Sequence, residues 1–150
     1  MADMAMLLGK AGFALFTLGL ALGATIPRLR NPRMALSAHL TAVQGGMALM
    51  IFGLCWPTFG IAQWATRPIA LSLTLSSYVL VAALVLAALT GASRALPIAG
   101  QGFTATPRAE QAVSVLTIGA SVWLLLTCLA ILGYYVMAND QVGLVTPLSP

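Results

Sequence analysis

Four long intervals without a charged residue dominate this sequence and limit what it can fold into. They run over residues 11–27, 34–66, 68–93 and 111–139. A helix needs about 20 consecutive, mainly apolar residues to cross a bilayer. The intervals therefore predict an all-α integral membrane protein, a bundle of four transmembrane helices that forms a single domain over residues 1–150.

The composition excludes a water-soluble fold. Hydrophobic residues make up 60% of the chain and charged residues only 7%, whereas an average soluble domain is about 25% charged. Disorder is excluded for the same reason. The net charge of +4 comes from a few basic residues that are scattered between apolar blocks, so we expect the lipid bilayer as partner and no nucleic acid.

Prolines and interfacial residues give the expected bounds of the helices. We predict spans at about residues 4–26, 35–56, 68–89 and 110–137, followed by a flexible tail at 138–150. Pro68 is acceptable at a first helical position. A cleavable signal peptide is the alternative for the first span, but the region before the apolar run carries Asp3 and no basic residue.

Basic residues in the first and third loops set the expected orientation. The first loop carries Arg28, Arg30 and Arg33, and the third carries Arg94 and Arg108. The positive-inside rule places both loops in the cytoplasm and both termini outside.

His39, the only histidine, lies about one turn into the second span. Helical periodicity puts Ala42 and Gly46 on its face, which would leave room for a planar ring. The same small residues, with Ala38, also form a stripe that lets two membrane helices pack closely, as does Gly19-x-x-x-Gly23 in the first span. Both interpretations stay open. One histidine cannot supply two axial ligands, so a metal held here would keep an open position for substrate.

Two larger polar side chains, Gln44 and Tyr78, lie near the middle of their spans. Hydrocarbon cannot satisfy them, so each must point at another helix or at a polar cavity. Either could contact a substrate, or Tyr78 could hydrogen-bond a Ser or Thr side chain of a neighbouring helix. Apart from Glu110 at the start of the fourth, the second, third and fourth spans contain no Asp, Glu, Lys or Arg, which disfavours a transporter. No acid lies near His39 to complete a hydrolytic triad.

The run from Asn31 to Leu40, Asn-Pro-Arg-Met-Ala-Leu-Ser-Ala-His-Leu, resembles the hydroxylaminobenzene mutases, small four-span membrane proteins that convert hydroxylaminobenzene to 2-aminophenol. Ala38-His39 and Gly46-Met47 also resemble styrene oxide isomerases. Two features depart from these families: Gln44-Gly45 stands where the relatives have an asparagine before the glycine, and Ala82-Ala83 stands where they carry amides or acids.

The resemblance implies a site and a chemistry. His39 would be the metal ligand, holding ferric haem b between the subunits of a homotrimer. The iron would act as a Lewis acid that weakens the N–O bond of a small aromatic hydroxylamine, and the oxygen would return to the ortho ring carbon. Tyr78 or Gln44 would hydrogen-bond the reacting atoms, with Ala42 and Gly46 beside the ring. Arg30 and Arg33 would meet the haem propionates, unless they serve only as topology determinants.

The function expected is therefore that of an isomerase, a haem-dependent mutase of a bacterial inner membrane. One alternative is an epoxide isomerase of the styrene oxide type on the same scaffold. The other is a non-catalytic four-helix membrane assembly or haem carrier.

Overall fold

The computed structural model describes residues 2–143, and across that range the chain is helical with no strand. Its helices are α1 (Ala2–Thr25), α2 (Pro32–Cys55), α3 (Gln63–Thr90), the short α4 (Pro97–Gly100) and α5 (Pro107–Gly143). All but α4 are long and apolar enough to cross a membrane. The predicted all-α membrane fold with four spans is confirmed.

The helix ends differ from the expected ones. α3 begins at Gln63, because the backbone N–H groups of Ala65 and Thr66 donate to the Ala62 carbonyl at 2.8 and 3.1 Å, and Pro68 therefore lies inside the helix. α5 continues past the expected end near Met137 to Gly143, so residues 138–143 are helical. The rest of the expected tail, 144–150, lies outside the described residues.

The long helices are not arranged as a symmetrical bundle. α1 and α2 pack along each other, and α3 packs against both. Within residues 2–143, α5 contacts α3 and the 3-10 turn Trp56–Phe59 but neither α1 nor α2. The protein is thus a three-helix core with a fourth helix laid along the outside of α3.

Glycines make the contact between α1 and α2 very close. A Cβ atom on Gly46 would lie 2.5 Å from the backbone nitrogen of Phe16 and 2.7 Å from the Gly12 carbonyl oxygen. A Cβ on Gly53 would lie 2.8 Å from the Ala5 carbonyl oxygen. Only residues without a side chain permit this approach, which is how small-residue stripes join helices in membranes.

A fully buried asparagine joins the first loop to the third. The Asn31 side-chain oxygen accepts a hydrogen bond from the Met34 N–H at 3.1 Å and so caps α2. Its amide nitrogen donates to the Ala99 carbonyl at 3.1 Å, and its backbone N–H donates to the Ala88 carbonyl at 3.0 Å. These bonds fix the start of α2, and with it the height of His39.

Candidate functional site

His39 lies half-buried between α2 and α1. Its Nδ1 is 2.7 Å from the Gly19 carbonyl oxygen. A carbonyl can only accept, so Nδ1 carries the proton and Nε2 presents its lone pair. A Cβ on Gly23 would lie 3.0 Å from both Cε1 and Nδ1 of the ring. The two glycines of α1 therefore orient the imidazole, one by accepting its proton and the other by leaving space for it.

This arrangement suits a metal ligand. A ligating histidine usually donates its second ring N–H to a carbonyl or carboxylate, which fixes the tautomer and the ring orientation. Within residues 2–143, no group of three or more His, Cys, Asp or Glu side chains could hold a metal ion. A metal bound by His39 would have to bring most of its ligands with it, as the iron of a porphyrin does. The donor set therefore fits a haem with one protein axial ligand.

Ala42 and Gly46 do not provide the expected space for a planar ring. Ala42 is fully buried, and its Cβ would be 3.0 Å from a Cβ on Gly19. Gly46 lies directly against the backbone of α1 at Gly12 and Phe16. These two residues serve the helix contact, and in this chain α1 occupies the surface on which a ring would lie.

Tyr78 makes a hydrogen bond between helices, but its partner is a backbone carbonyl and not the expected Ser or Thr side chain. Its hydroxyl donates to the Ala11 carbonyl of α1 at 2.8 Å. Beside it a groove of about 390 Å³ runs between α1 and α3, which we name the Tyr78 groove. Apart from Tyr78 it is lined by Leu18, Leu22, Val81, Ala82, Val85, Leu86 and Leu89. Walls of this kind suit an apolar aromatic ring.

Gln44 is exposed on α2. It follows His39 by five positions, which places it about 140° away around the helix axis. Tyr78 lies between α1 and α3, whereas His39 lies between α1 and α2. The chain thus presents the three expected site residues on three different faces.

Arg30 and Arg33 are bound to the third loop. The two terminal nitrogens of Arg30 donate to the Thr90 and Thr104 carbonyls at 2.7 and 3.2 Å. Arg33 donates to the Gln101 carbonyl at 3.2 Å. These contacts tie Arg30 and Arg33 to the third loop and the end of α3, and their expected contact with haem propionates stays a prediction.

The family model described as styrene oxide isomerase matches residues 4–136, nearly the whole described chain. The chain belongs to the styrene oxide isomerase family. Hydroxylaminobenzene mutase HabB of Ectopseudomonas oleovorans is 37% identical over 128 residues, which cover 85% of this chain and 78% of that protein. Hydroxylaminobenzene mutase HabA of the same organism is 37% identical over 108 residues, covering 71% of this chain and 79% of that protein.

These matches confirm the resemblance seen in the sequence. The family name and the names of both relatives describe isomerases, so the chain is a membrane isomerase.

Proposed function

We propose that this isomerase is a haem-dependent mutase that rearranges an N-aryl hydroxylamine to an ortho-aminophenol. Two relatives named hydroxylaminobenzene mutases, each 37% identical, support the substrate class. The observation that carries the cofactor is the His39 imidazole, whose Nδ1 is tied to the Gly19 carbonyl, so that Nε2 would be the ligating atom.

The chain's own residues would contribute position and environment. Ferric haem, when bound, supplies a Lewis acid that polarises the N–O bond and needs no external reductant. The Gly19 carbonyl holds the His39 ring in one orientation and one tautomer. Apolar walls such as those of the Tyr78 groove hold the aryl ring and exclude water that would otherwise capture a cationic intermediate.

Tyr78 is the proposed hydrogen-bond donor to the substrate. To reach a substrate in the groove, its hydroxyl would exchange the Ala11 carbonyl, now 2.8 Å away, for the oxygen or nitrogen of the hydroxylamine. The bond to Ala11 keeps a polar group satisfied within hydrocarbon until that exchange takes place. Gln44 could serve the same substrate only from a neighbouring copy, because it faces outward on α2.

A homo-oligomer, for which we propose a trimer, would complete the site. His39 and the Tyr78 groove belong to different helix pairs of one chain. Association around a symmetry axis would let the His39 face of one copy and the groove of the next enclose a single small aromatic substrate. We further propose a bacterial inner membrane as the location, with the first and third loops in the cytoplasm, because those loops carry Arg28, Arg30, Arg33, Arg94 and Arg108.

A paired assay tests the proposed substrate. Purified protein, supplied with haem during expression, is given hydroxylaminobenzene and styrene oxide in parallel, with the His39→Ala variant as control. We expect 2-aminophenol from the wild type and none from the variant. The family match favours a second candidate, an epoxide isomerase, and turnover of styrene oxide alone would replace our proposal with it. Bound haem with turnover of neither compound would indicate a carrier.

A further inference from the structure

A second groove, away from His39 and Tyr78, lies where α2 begins. It has a volume of about 420 Å³ and is bounded by α2 on one side and by α4 and its flanks on the other; we name it the α2–α4 groove. Its lining residues are Arg33, Leu36, Ser37, Leu96, Pro97, Ile98, Ala99 and Gln101. The groove thus combines an apolar wall with one guanidinium group.

The apolar wall is open to the surroundings of the protein. Ile98 is 88% exposed and Leu36 is 46% exposed. Leu36 lies close to the end of the membrane span, because α2 starts only a few residues before it, and Ile98 lines the same groove. Apolar side chains presented at that level fit hydrocarbon chains better than water.

The guanidinium of Arg33 retains donors for a ligand. It has five N–H groups, and among residues 2–143 its hydrogen bond goes to the Gln101 carbonyl. Arg33 precedes His39 by six positions, which places it about 120° away around α2. Arg33 therefore starts from a different face of α2 than the imidazole.

The charge at this end of the molecule is strongly positive. The chain has three acidic residues. Asp3 lies at the start of α1 and Asp140 near the end of α5, so both are at the end of their helix that is remote from the groove. The third, Glu110, already accepts hydrogen bonds from the backbone N–H groups of Ser93 and Arg94 at 2.9 to 3.1 Å. The other basic residues at this end are Arg28, Arg30, Arg94 and Arg108. The positive charge around the α2–α4 groove therefore favours an anionic ligand.

We propose that the α2–α4 groove binds an anionic phospholipid, with its phosphate on Arg33 and an acyl chain along Leu36 and Ile98. A basic side chain at the membrane surface matches the anionic headgroup of a lipid, and the exposed apolar wall matches its acyl chain. Because the lipid would also contact Gln101 and Leu96, it would hold the third loop against α2.

A lipid titration of the full-length protein tests this site. Delipidated protein in a neutral detergent receives either dioleoyl phosphatidylglycerol or dioleoyl phosphatidylcholine, and the rise in unfolding temperature gives an apparent affinity for each lipid. We expect a preference for phosphatidylglycerol in the wild type. Arg33→Gln should weaken phosphatidylglycerol binding by about fivefold, as expected for one basic residue near a membrane surface, whereas Arg33→Lys should keep most of it.

Two further variants separate the groove from the general surface charge. Arg108→Gln removes the same charge at the same end of the molecule but outside the groove, and it should bind phosphatidylglycerol as the wild type does. Leu36→Trp fills the apolar wall and should weaken binding. Equal losses in Arg33→Gln and Arg108→Gln would overturn the proposal, as would stabilisation by glycerol phosphate as strong as that by the lipid. Loss of bound haem from Arg33→Gln with unchanged lipid affinity would reassign Arg33 to the cofactor.

Discussion

The tight contact between α1 and α2 at Gly46 gives a prediction that can be worked out from distances. In Gly46→Ala the new methyl group would lie 2.5 Å from the Phe16 nitrogen and 2.7 Å from the Gly12 oxygen. Favourable contacts between such atoms lie near 3.5 Å or beyond, so α1 has to move away by about 1 Å. Overpacking of this kind costs roughly 1–3 kcal/mol. The better helix propensity of alanine returns up to about 1 kcal/mol, which leaves a net loss of roughly 0–2 kcal/mol relative to the wild type.

Gly9→Ala is the matched control for Gly46→Ala. Gly9 lies in the same pair of packed helices, and a Cβ there would meet nothing within 4 Å. The control should therefore be as stable as the wild type or slightly more stable, because it gains only helix propensity. Unfolding followed by intrinsic fluorescence in a detergent series measures both variants. Equal stability of Gly46→Ala and Gly9→Ala would refute the close helix contact on which the position of His39 depends.

Three further variants test the first loop, the hydroxyl and the histidine. Asn31→Ala should lose roughly 2 kcal/mol of stability, since it removes a helix cap and a hydrogen bond worth about 1 kcal/mol each. Asn31→Ser should recover about half of that loss. Equal stability of the Ala and Ser variants would contradict the capping role. Tyr78→Phe should keep its haem but slow turnover about tenfold, the effect expected from losing one hydrogen bond in the transition state. An unchanged kcat would restrict Tyr78 to helix packing. Gly23→Ala should weaken haem binding about tenfold or more, since the methyl group would crowd the His39 ring at 3.0 Å. Haem affinity is measured by titration, and an affinity equal to that of the wild type would argue against this ring position.

The sequence was sufficient to predict the number of spans but not their ends. Charges mark where a chain leaves the hydrocarbon, so the gaps between them indicate each crossing. A helix does not have to end where the membrane ends, and α5 continues through Asp140 to Gly143. Similarly, α3 starts before Pro68, at Gln63, because the backbone of Ala62 accepts the first hydrogen bonds.

The sequence singles out His39 as the candidate ligand, but it does not predict the surroundings of that residue. A lone histidine within an apolar span is a functional candidate by default, and the run that contains His39 carries the family resemblance. The stripe of Ala42 and Gly46 fits either a flat cofactor or a packed helix, since both need small side chains. Tertiary contacts decide between them, and the backbone of α1 at Gly12 covers the stripe.

The positions of Gln44 and Arg30 also depend on tertiary structure. Hydrocarbon disfavours an amide in the middle of a span, so the sequence predicts that Gln44 points at another helix or at a polar cavity. The structure leaves it exposed, so any partner must come from outside the chain. Arg30 is held by the carbonyls of Thr90 and Thr104, sixty or more residues away in sequence. No local pattern could have revealed those acceptors.

The most direct test of the central claim is the absorption spectrum of purified wild-type protein beside that of His39→Ala, both expressed with added haem and compared at equal protein concentration. We expect a Soret band in the wild type, together with formation of 2-aminophenol from hydroxylaminobenzene, and the loss of both in a His39→Ala protein that remains folded. A His39→Ala protein that retained haem at full occupancy would contradict the assignment of His39 as the ligand.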